Sequence, residues 1–476
     1  MNMNYELVIG LETHVELDTK SKIFCSCGGH SAANEPNDCV CPACSGMPGM
    51  LPVMNKRVVE LAVTAGLMLN CEISRYTTFD KKNYYYPDLP CAYQITQLNH
   101  PICTNGCVSV KTSSGARDIR IKQIHMEEDA GKLVHGGAHS YVDFNRTSVP
   151  LIEIVTQPDF RSAEEVVTYL NKLKSMFRLG GISECEEGAM RCDVNISVRP
   201  EGSEEFGVRT EIKNMSSFEA IEKAIRYESQ RHIDAIEFET EELVQETRRY
   251  DDASGKTFAM RNKETEADYR YFPDANLMPI IIDDEWLEKI KENKPVAMDE
   301  KAEEYMAAGI GGEEIEMILS SQKLTKLLDD TVALGANPKD CAIWILTDCA
   351  GILRKDGKTL SDLSITPKDL ATIINMVSDG TINRISGKKI LIAVIEDGAD
   401  PEKFCKENGL DKKVDTSMID SVIDEAIKAN PQAVADFKGG KTKAIQALFG
   451  SCMKQLKGAG DPMTIKARLE EKMKEQ

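Results

Sequence analysis

Glu12, His14 and Glu16 alternate along the run Tyr5–Leu17, YELVIGLETHVEL. On a β-strand, residues two apart share a face. Three ligand-type side chains on one face suit a metal ion or a metal–phosphate complex; a solvent-facing polar stripe is the alternative. A second concentration lies at His125-Met126-Glu127-Glu128-Asp129. So many ionisable groups are costly to bury without a cation, and Mg²⁺ takes carboxylates, waters and substrate phosphates; an exposed acidic turn is the alternative. Glu153 is sharper, because it interrupts the apolar run Val149-Pro150-Leu151-Ile152-Glu153-Ile154-Val155. A buried carboxylate needs a metal, a cationic partner or a shifted pKa.

Further candidates come from an alternating pair of segments. In Arg191–Arg199, Arg191, Asp193, Asn195, Ser197 and Arg199 share one face, and Cys192, Val194, Ile196 and Val198 the other. Gly207–Lys213 follows a polar turn and places Arg209, Glu211 and Lys213 on one face. Together they offer carboxylates for a metal and cations for phosphate, or else a cross-strand ion-pair ladder. Lys81 and Lys82 stand beside Tyr84, Tyr85 and Tyr86, a combination of phosphate-holding charge and base-stacking rings.

The spacing Cys25-x-Cys27, thirteen residues, Cys41-x-x-Cys44 can wrap a tetrahedral structural Zn²⁺, with Cys39 as a spare. Free or redox-active thiols are the other reading. Gly255-Lys256-Thr257 and Gly440-Lys441-Thr442 resemble the end of a phosphate loop, but Tyr250 and Ala435 stand where its first glycine belongs. The sequence also lacks a kinase glycine-rich loop with its later motifs, a dinucleotide fingerprint and a G-x-S-x-G elbow.

These residues need a scaffold. The chain's 476 residues suggest two to four domains. Up to about residue 290 strands and helices mix, which predicts α+β architecture with an antiparallel sheet. The two alternating segments read as a hairpin. The stripe Val58, Leu61, Ala62, Ala65, Met68, Leu69 predicts a buried helix. Ser162-x-x-Glu165 and Ser216-x-x-Glu219 read as helix starts, the first as a capping box, with Gly180-Gly181 stopping the first helix. From about 295 the texture is helical, with Thr366-Pro367 as a start and a boundary near Gly398–Pro401. The expected domains are 1–294, 295–406 and 407–476.

A net charge of −19 argues against a surface coated for nucleic acid. Between Asn430 and Gln476, however, nine Lys and Arg stand against five Asp and Glu. That basic end permits a local RNA contact, or is simply the solvated face of a small helical domain. No apolar run is long enough for a membrane span and no secretion signal is read, so the cytoplasm is the expected compartment.

In order, YELVIGLETHVEL, Asp80–Asp88 (DKKNYYYPD), HMEEDAGK, PLIEIVTQPD, MRCDVNIS, EIKNMSSF and Glu246–Tyr250 through Asp268–Asp274 (DYRYFPD) resemble the B subunits of the tRNA-dependent amidotransferases. Asn430 to the end resembles the tail of those proteins, so the likeness spans essentially the whole chain. It implies an N-terminal cradle domain, an all-helical middle domain and a small helical tail that holds tRNA. It also implies a heterotrimer whose other two members are an amidase and a small third protein. The implied activity is that of a carbon–nitrogen ligase with glutamine as amide donor. ATP and Mg²⁺ would serve to phosphorylate the side chain of Glu-tRNA(Gln) and/or Asp-tRNA(Asn), and ammonia from the amidase would displace the phosphate. Carried over by motif, Glu12, His14, Glu127 and Glu153 are the leading catalytic and metal candidates, with Glu128, Asp193 and Glu211 beside them. Lys81, Arg191, Asn195 and Lys213 are candidates for nucleotide or acyl-phosphate contacts. Cys25, Cys27, Cys41 and Cys44 remain a candidate structural zinc site that the resemblance does not assign. The competing function is a tRNA-holding scaffold whose chemistry lies elsewhere in the complex.

Overall fold

The alternation read along the first segment is the central rib of a nine-stranded sheet. The computed structural model describes residues 4–29, 33, 35–137, 139–186, 188–262, 266–294, 298–411, 416–431, 444–455 and 462–475. They fall into two units, Met1–Met298 and Asp299–Gln476. The expected boundary after residue 294 abuts residues outside that description. Gly440-Lys441-Thr442 and much of the basic stretch before Ala444 also lie outside it.

In chain order the first unit opens with β1 (Tyr5–Glu16), α1 (Lys56–Met68), β2 (Glu72–Ile73), β3 (Tyr76–Thr77), β4 (Asp80–Asn83) and β5 (Tyr93–Thr96). Next come β6 (Cys103–Thr112), β7 (Gly115–Glu128), β8 (Lys132–Gly136), β9 (His139–Asp143), β10 (Pro150–Thr156), α2 (Ala163–Leu179), β11 (Met190–Pro200) and β12 (Thr210–Lys213). It closes with α3 (Phe218–Phe238), β13 (Glu246–Asp251), β14 (Lys256–Asn262), β15 (Phe272–Pro273), β16 (Ile280–Ile281) and α4 (Asp284–Glu292).

The large sheet runs β14-β13-β12-β11-β1-β10-β7-β6-β2. Every pairing is antiparallel except β12 with β13. One face is apolar and carries α1, α2 and α3. Leu11 and Val15 of β1, Ile152 and Ile154 of β10, and Cys192, Val194 and Ile196 of β11 pack there with Val166, Leu170, Leu173 and Ile221. The even-numbered residues of β1 turn to the other face. A small sheet, β15-β4-β5, stands beside it.

One irregularity decides what that second face carries. Gln123 of β7 pairs with Val155, but Ile121 pairs with Thr156, so Lys122 is an extra residue on its strand. Such a bulge flips the alternation. Before it, the odd residues Ile119 and Ile121 enter the core; after it, the even residues Ile124 and Met126 do. His125 and Glu127 are thereby turned to the opposite face.

The helix starts follow local chemistry with two corrections. Ser162 caps α2 by accepting from Glu165 N–H. Glu165 does not complete a capping box. Its carboxylate accepts the backbone N–H of Arg161 at 2.6 Å and pairs with the Arg117 guanidinium at 2.7 Å, a charge-assisted bond that holds it away from the cap. α3 starts one residue later than expected, because Ser217, not Ser216, accepts from Ala220 N–H; the Ser216 hydroxyl donates instead to Asp252.

The second unit is helical throughout its described residues. Its helices are α5 (Met298–Ala307), α6 (Gly312–Leu319), α7 (Gln322–Ala333), α8 (Pro338–Ile343), α9 (Ala350–Lys355), α10 (Pro367–Ser378), α11 (Arg384–Asp397), α12 (Pro401–Glu407), α13 (Thr416–Ala429), α14 (Ala444–Gln455) and α15 (Pro462–Glu475). Thr366 caps α10, with Pro367 at its first position. A wide π turn, Trp344–Cys349, joins α8 to α9. α13, α14 and α15 share a core of their own around Ile423, Leu448, Ile465 and Leu469. Among the described residues no helix is long and apolar enough to cross a membrane.

Candidate active site

The polar face of the large sheet lines a cavity of about 340 Å³. Its wall holds Glu12, His14, His125, Glu127, Glu153, Asp193 and Glu211, with Lys82, Lys213, Thr247, Tyr269 and Tyr271. Strand register creates this grouping. His14 of β1 stands opposite Glu153 of β10, and Glu153 opposite His125 of β7. Side chains directly opposed across strands touch. On the other side of β1, Glu12 stands opposite Asp193, and Glu211 of β12 faces Asn195 of β11.

The residues form two groupings whose ligand-type atoms converge within 4.8 Å: His14, Glu127 and Glu153; and Glu12, Asp193 and Glu211. In the first, His14 Nε2 lies 3.4 Å from Glu153 Oε2 and 3.5 Å from Glu127 Oε1. His125 Nε2 lies 3.0 Å from Glu153 Oε2. Burial alone would depress both imidazoles, but Glu153 with Glu127 outweighs it and raises His14 to about 9 and His125 to about 10. Burial in turn pushes Glu153 and Glu127 up, and the two histidines override it and hold both carboxylates below their usual range. In the second grouping Lys213 donates to Asp193 and lies 3.5 Å from Glu211. Asn195 donates to Glu12 at 2.9 Å, and Thr247 to Glu211 at 2.7 Å. Burial works against the Lys213 ammonium, but Asp193 and Glu211 raise it.

Among the described residues, five carboxylates therefore face two lysines around one cavity. Carboxylates packed this closely are unfavourable unless a cation or protons join them. Lys82 lies 4.7 Å from the Tyr269 ring centroid and 5.6 Å from that of Tyr84, so a cation and aromatic faces share one rim.

Three sequence candidates stand elsewhere. Glu128 follows Glu127 on the strand and points to the opposite side of the sheet, where its carboxylate accepts from Ser148 Oγ at 2.6 Å and Ile95 N–H at 3.0 Å. Burial pushes it up to about 7 against those hydrogen bonds. Arg191 is drawn to Asp129 at 2.5 Å, outside the cavity wall. Lys81 turns from the cavity to the Tyr93 ring, 4.3 Å away, and toward Asp274 at 3.8 Å; its neighbour Lys82 takes the cavity position. Thr96, Gln97, Thr247, Tyr269 and Tyr271 line the cavity without having stood among the site residues read from sequence, and His125, read only as part of the ionisable cluster, lines it too. His125 shares Glu127's face by simple alternation, a signal present in the sequence.

Cys25, Cys27, Cys41 and Cys44 also converge within 4.8 Å. The Cys41 N–H donates to Cys44 Sγ at 3.2 Å. A hydrogen bond from Cys25, opposed by burial and helped by that N–H and by Lys22, holds the Cys44 thiol down to about 4. The Cys39 thiol is not in the group; its backbone N–H donates to Asn145.

Family models described as the GatB/GatE catalytic domain and the GatB domain match residues 7–288 and 326–473. Among curated relatives are the B subunits of the aspartyl/glutamyl-tRNA(Asn/Gln) amidotransferases of three bacteria. The chain is 47% identical over 483 residues to that of Lachnospira eligens, covering 99% of this chain and 100% of the relative. It is 45% identical over 479 residues to that of Caldicellulosiruptor saccharolyticus, covering 99% of each. The Carboxydothermus hydrogenoformans protein is 43% identical, with 98% of this chain and 99% of the relative covered.

Proposed function

The chain belongs to the family of B subunits of the aspartyl/glutamyl-tRNA(Asn/Gln) amidotransferases, and from that premise we propose that its carboxylate-lined cavity is where the side chain of a misacylated tRNA is activated. The reading is that the γ-phosphoryl group of ATP passes to a carboxylate oxygen of Glu-tRNA(Gln) or Asp-tRNA(Asn). ADP leaves, ammonia attacks the carbonyl carbon, and phosphate departs as the amide forms.

The observation that carries this is the pair of three-ligand groupings around one cavity where, among the described residues, carboxylates are in excess. The donor set suits divalent cations, which take several oxygen ligands and leave places for water and phosphate. Bound there, Mg²⁺ would neutralise charge on the transferring phosphoryl group. His14, Glu127 and Glu153 would hold one ion, and Glu12, Asp193 and Glu211 a second. Lys213 and Lys82 supply point charges for phosphate oxygens, and Tyr269 and Tyr271 offer faces to a base or ribose. Asn195 and Thr247 orient Glu12 and Glu211 by the hydrogen bonds described above.

Ammonia would come from the amidase of a complex that also includes a small third protein. The tail, residues 407–476, would hold tRNA by its shape and backbone. The four cysteines fit a structural Zn²⁺, since four thiolates close a tetrahedral site and leave no open position for substrate.

The test is a single turnover of γ-³²P-labelled ATP with Mg²⁺, the assembled complex and Glu-tRNA(Gln) or Asp-tRNA(Asn), without an ammonia donor. An alkali-labile label on aminoacyl-tRNA that Glu153→Gln prevents is the expected result. Absence of label with either tRNA, while both proteins bind tRNA equally, would favour the scaffold role instead.

A further inference from the structure

Lys22 is fully buried, with none of its surface exposed. Its ammonium has three N–H donors, and three acceptors surround it. It donates to the Cys39 carbonyl at 2.8 Å, to the Phe144 carbonyl at 3.3 Å and to Cys44 Sγ at 3.6 Å. Among the described residues it forms no ion pair with a carboxylate. Carbonyls satisfy the donors of a buried ammonium but do not balance its charge, and an unbalanced buried charge costs several kcal/mol by order of magnitude. The group at hand that can carry negative charge is sulfur. A thiolate at Cys44 supplies it, and metal binding would hold all four sulfurs in that form.

The converse holds from the metal's side. Four thiolates around Zn²⁺ carry two net negative charges, and a partly buried site of that kind gains from a cation and N–H donors around its sulfurs. Lys22 supplies a cation at the buried ligand, Cys44, and Cys41 N–H supplies a second donor to the same sulfur. The other two Lys22 bonds tie the site to two separate segments. One is the stretch before Cys41. The other is the turn at Phe144, itself laced to the first by Asn145, which accepts from Cys39 N–H at 2.8 Å and donates to the Glu35 carbonyl at 2.8 Å.

Resting on the zinc reading above, we infer that Lys22 is the built-in counter-ion of a four-thiolate zinc centre, clamping Cys44, the Cys39 segment and the Phe144 turn together. Residues 46–52 follow Cys44 in the chain and, with Cys25, Cys44, Tyr93 and Glu128, line a second cavity of about 230 Å³. Lys22 is a positioning residue: it does not line the first cavity.

The experiment uses the full-length chain purified with its partner proteins. Zinc per chain is measured by elemental analysis, affinity by competition with a chromogenic chelator, and ligand identity by the thiolate charge-transfer band of the Co²⁺-substituted protein. Wild type should hold one zinc per chain and lose it on Cys41→Ser. Lys22→Gln should keep the Co²⁺–thiolate band but bind zinc roughly 10- to 100-fold more weakly. Lys22→Arg keeps the charge, should stay within about threefold of wild type, and guards against a folding defect in the glutamine variant. One zinc in wild type with equal affinity in all three proteins would overturn the role of Lys22 and leave the zinc site standing. No zinc in wild type would overturn the zinc reading and, with it, the counter-ion. Weakening by Lys22→Arg as large as that by Lys22→Gln would show that packing, not charge, is what matters, and would also overturn the inference.

Discussion

Two buried ionic clusters sit on opposite faces of the same sheet, and they are built on opposite plans. On the helix-covered face, Glu228 of α3 is fully buried and takes hydrogen bonds from Arg231 and from Thr257 at 2.6 Å. Arg248 reaches Thr257 at 2.9 Å and Glu246 at 2.6 Å, and His232 lies 2.9 Å from Thr210. Its carboxylates meet guanidinium groups, Thr257 and Thr210 close further bonds, and His232 Nδ1 is left buried without a hydrogen-bond partner. On the open face, among the described residues, five carboxylates meet two lysines and two histidines around a cavity. In the first cluster the carboxylates are matched by guanidinium groups; in the second, among the described residues, carboxylates outnumber lysines. Burial and charge alone do not mark a reactive site, since both clusters have them. The mark is an imbalance of charge beside an empty volume.

Matched substitutions should separate the two. Glu153→Gln should lower phosphoryl transfer by about two to three orders of magnitude, the size expected for losing a charge-stabilising group, with the melting temperature unchanged or raised. Single-turnover kinetics beside calorimetry reads both; a large fall in melting temperature would make Glu153 structural and erase the contrast. Glu228→Ala should do the reverse. Breaking a buried pair leaves uncompensated charge and costs about 3–5 kcal/mol. Denaturant unfolding of the chain should report that loss, while turnover per folded molecule stays near wild type.

The pH response should follow the internal cluster. Burial pushes Glu228 up, but His232, Arg231 and Thr257 override it and hold the carboxyl down, at about 2. A depressed carboxyl stabilises the fold above its unfolded value near 4.5 and loses that contribution as pH falls toward 2. At about 1.4 kcal/mol per unit, the loss is on the order of 3 kcal/mol. Unfolding titrations between about pH 5 and pH 2 should therefore show a shallower fall for Glu228→Gln than for wild type; equal slopes would remove the assignment.

The smallest effect probes where the clusters meet. Thr247 and Arg248 are neighbours on β13, yet Thr247 serves Glu211 in the cavity and Arg248 the internal cluster. Thr247→Val should raise the Mg²⁺ concentration needed for half-maximal transfer by about tenfold, and Thr247→Ser should restore it. Equal losses in both variants would mean the hydroxyl does not orient Glu211.

Much of this site was legible because period-two alternation is local. Glu12, His14, Asp193, Glu211 and Lys213 fall on shared faces from spacing alone, and Glu153 stands out as a charge in an apolar strand. The candidates that stand away from the cavity, and the lining residues not read, share a kind of cause. Lys81 and Lys82, like Glu127 and Glu128, are adjacent, and nothing in a short polar run says which member faces inward. Arg191 has the right parity but reaches Asp129, 62 residues distant in sequence. Thr96, Gln97, Tyr269 and Tyr271 arrive from segments whose approach depends on tertiary pairing. Lys22 could not be read as a buried cation, since an isolated lysine in a polar stretch is ordinarily solvated. The antiparallel sheet followed from its strands, but the parallel pairing of β12 with β13 had no local signal.

The extra residue at Lys122 has a consequence for what this strand can tolerate. Its outer and inner halves obey opposite parities, so chain length between Ile121 and Gln123 specifies the site as firmly as any side chain does. Many substitutions at Lys122 should pass, whereas deleting it would swap Ile124 and Met126 with His125 and Glu127 across the sheet. The strand is thus permissive to changes of letter and intolerant of changes of count.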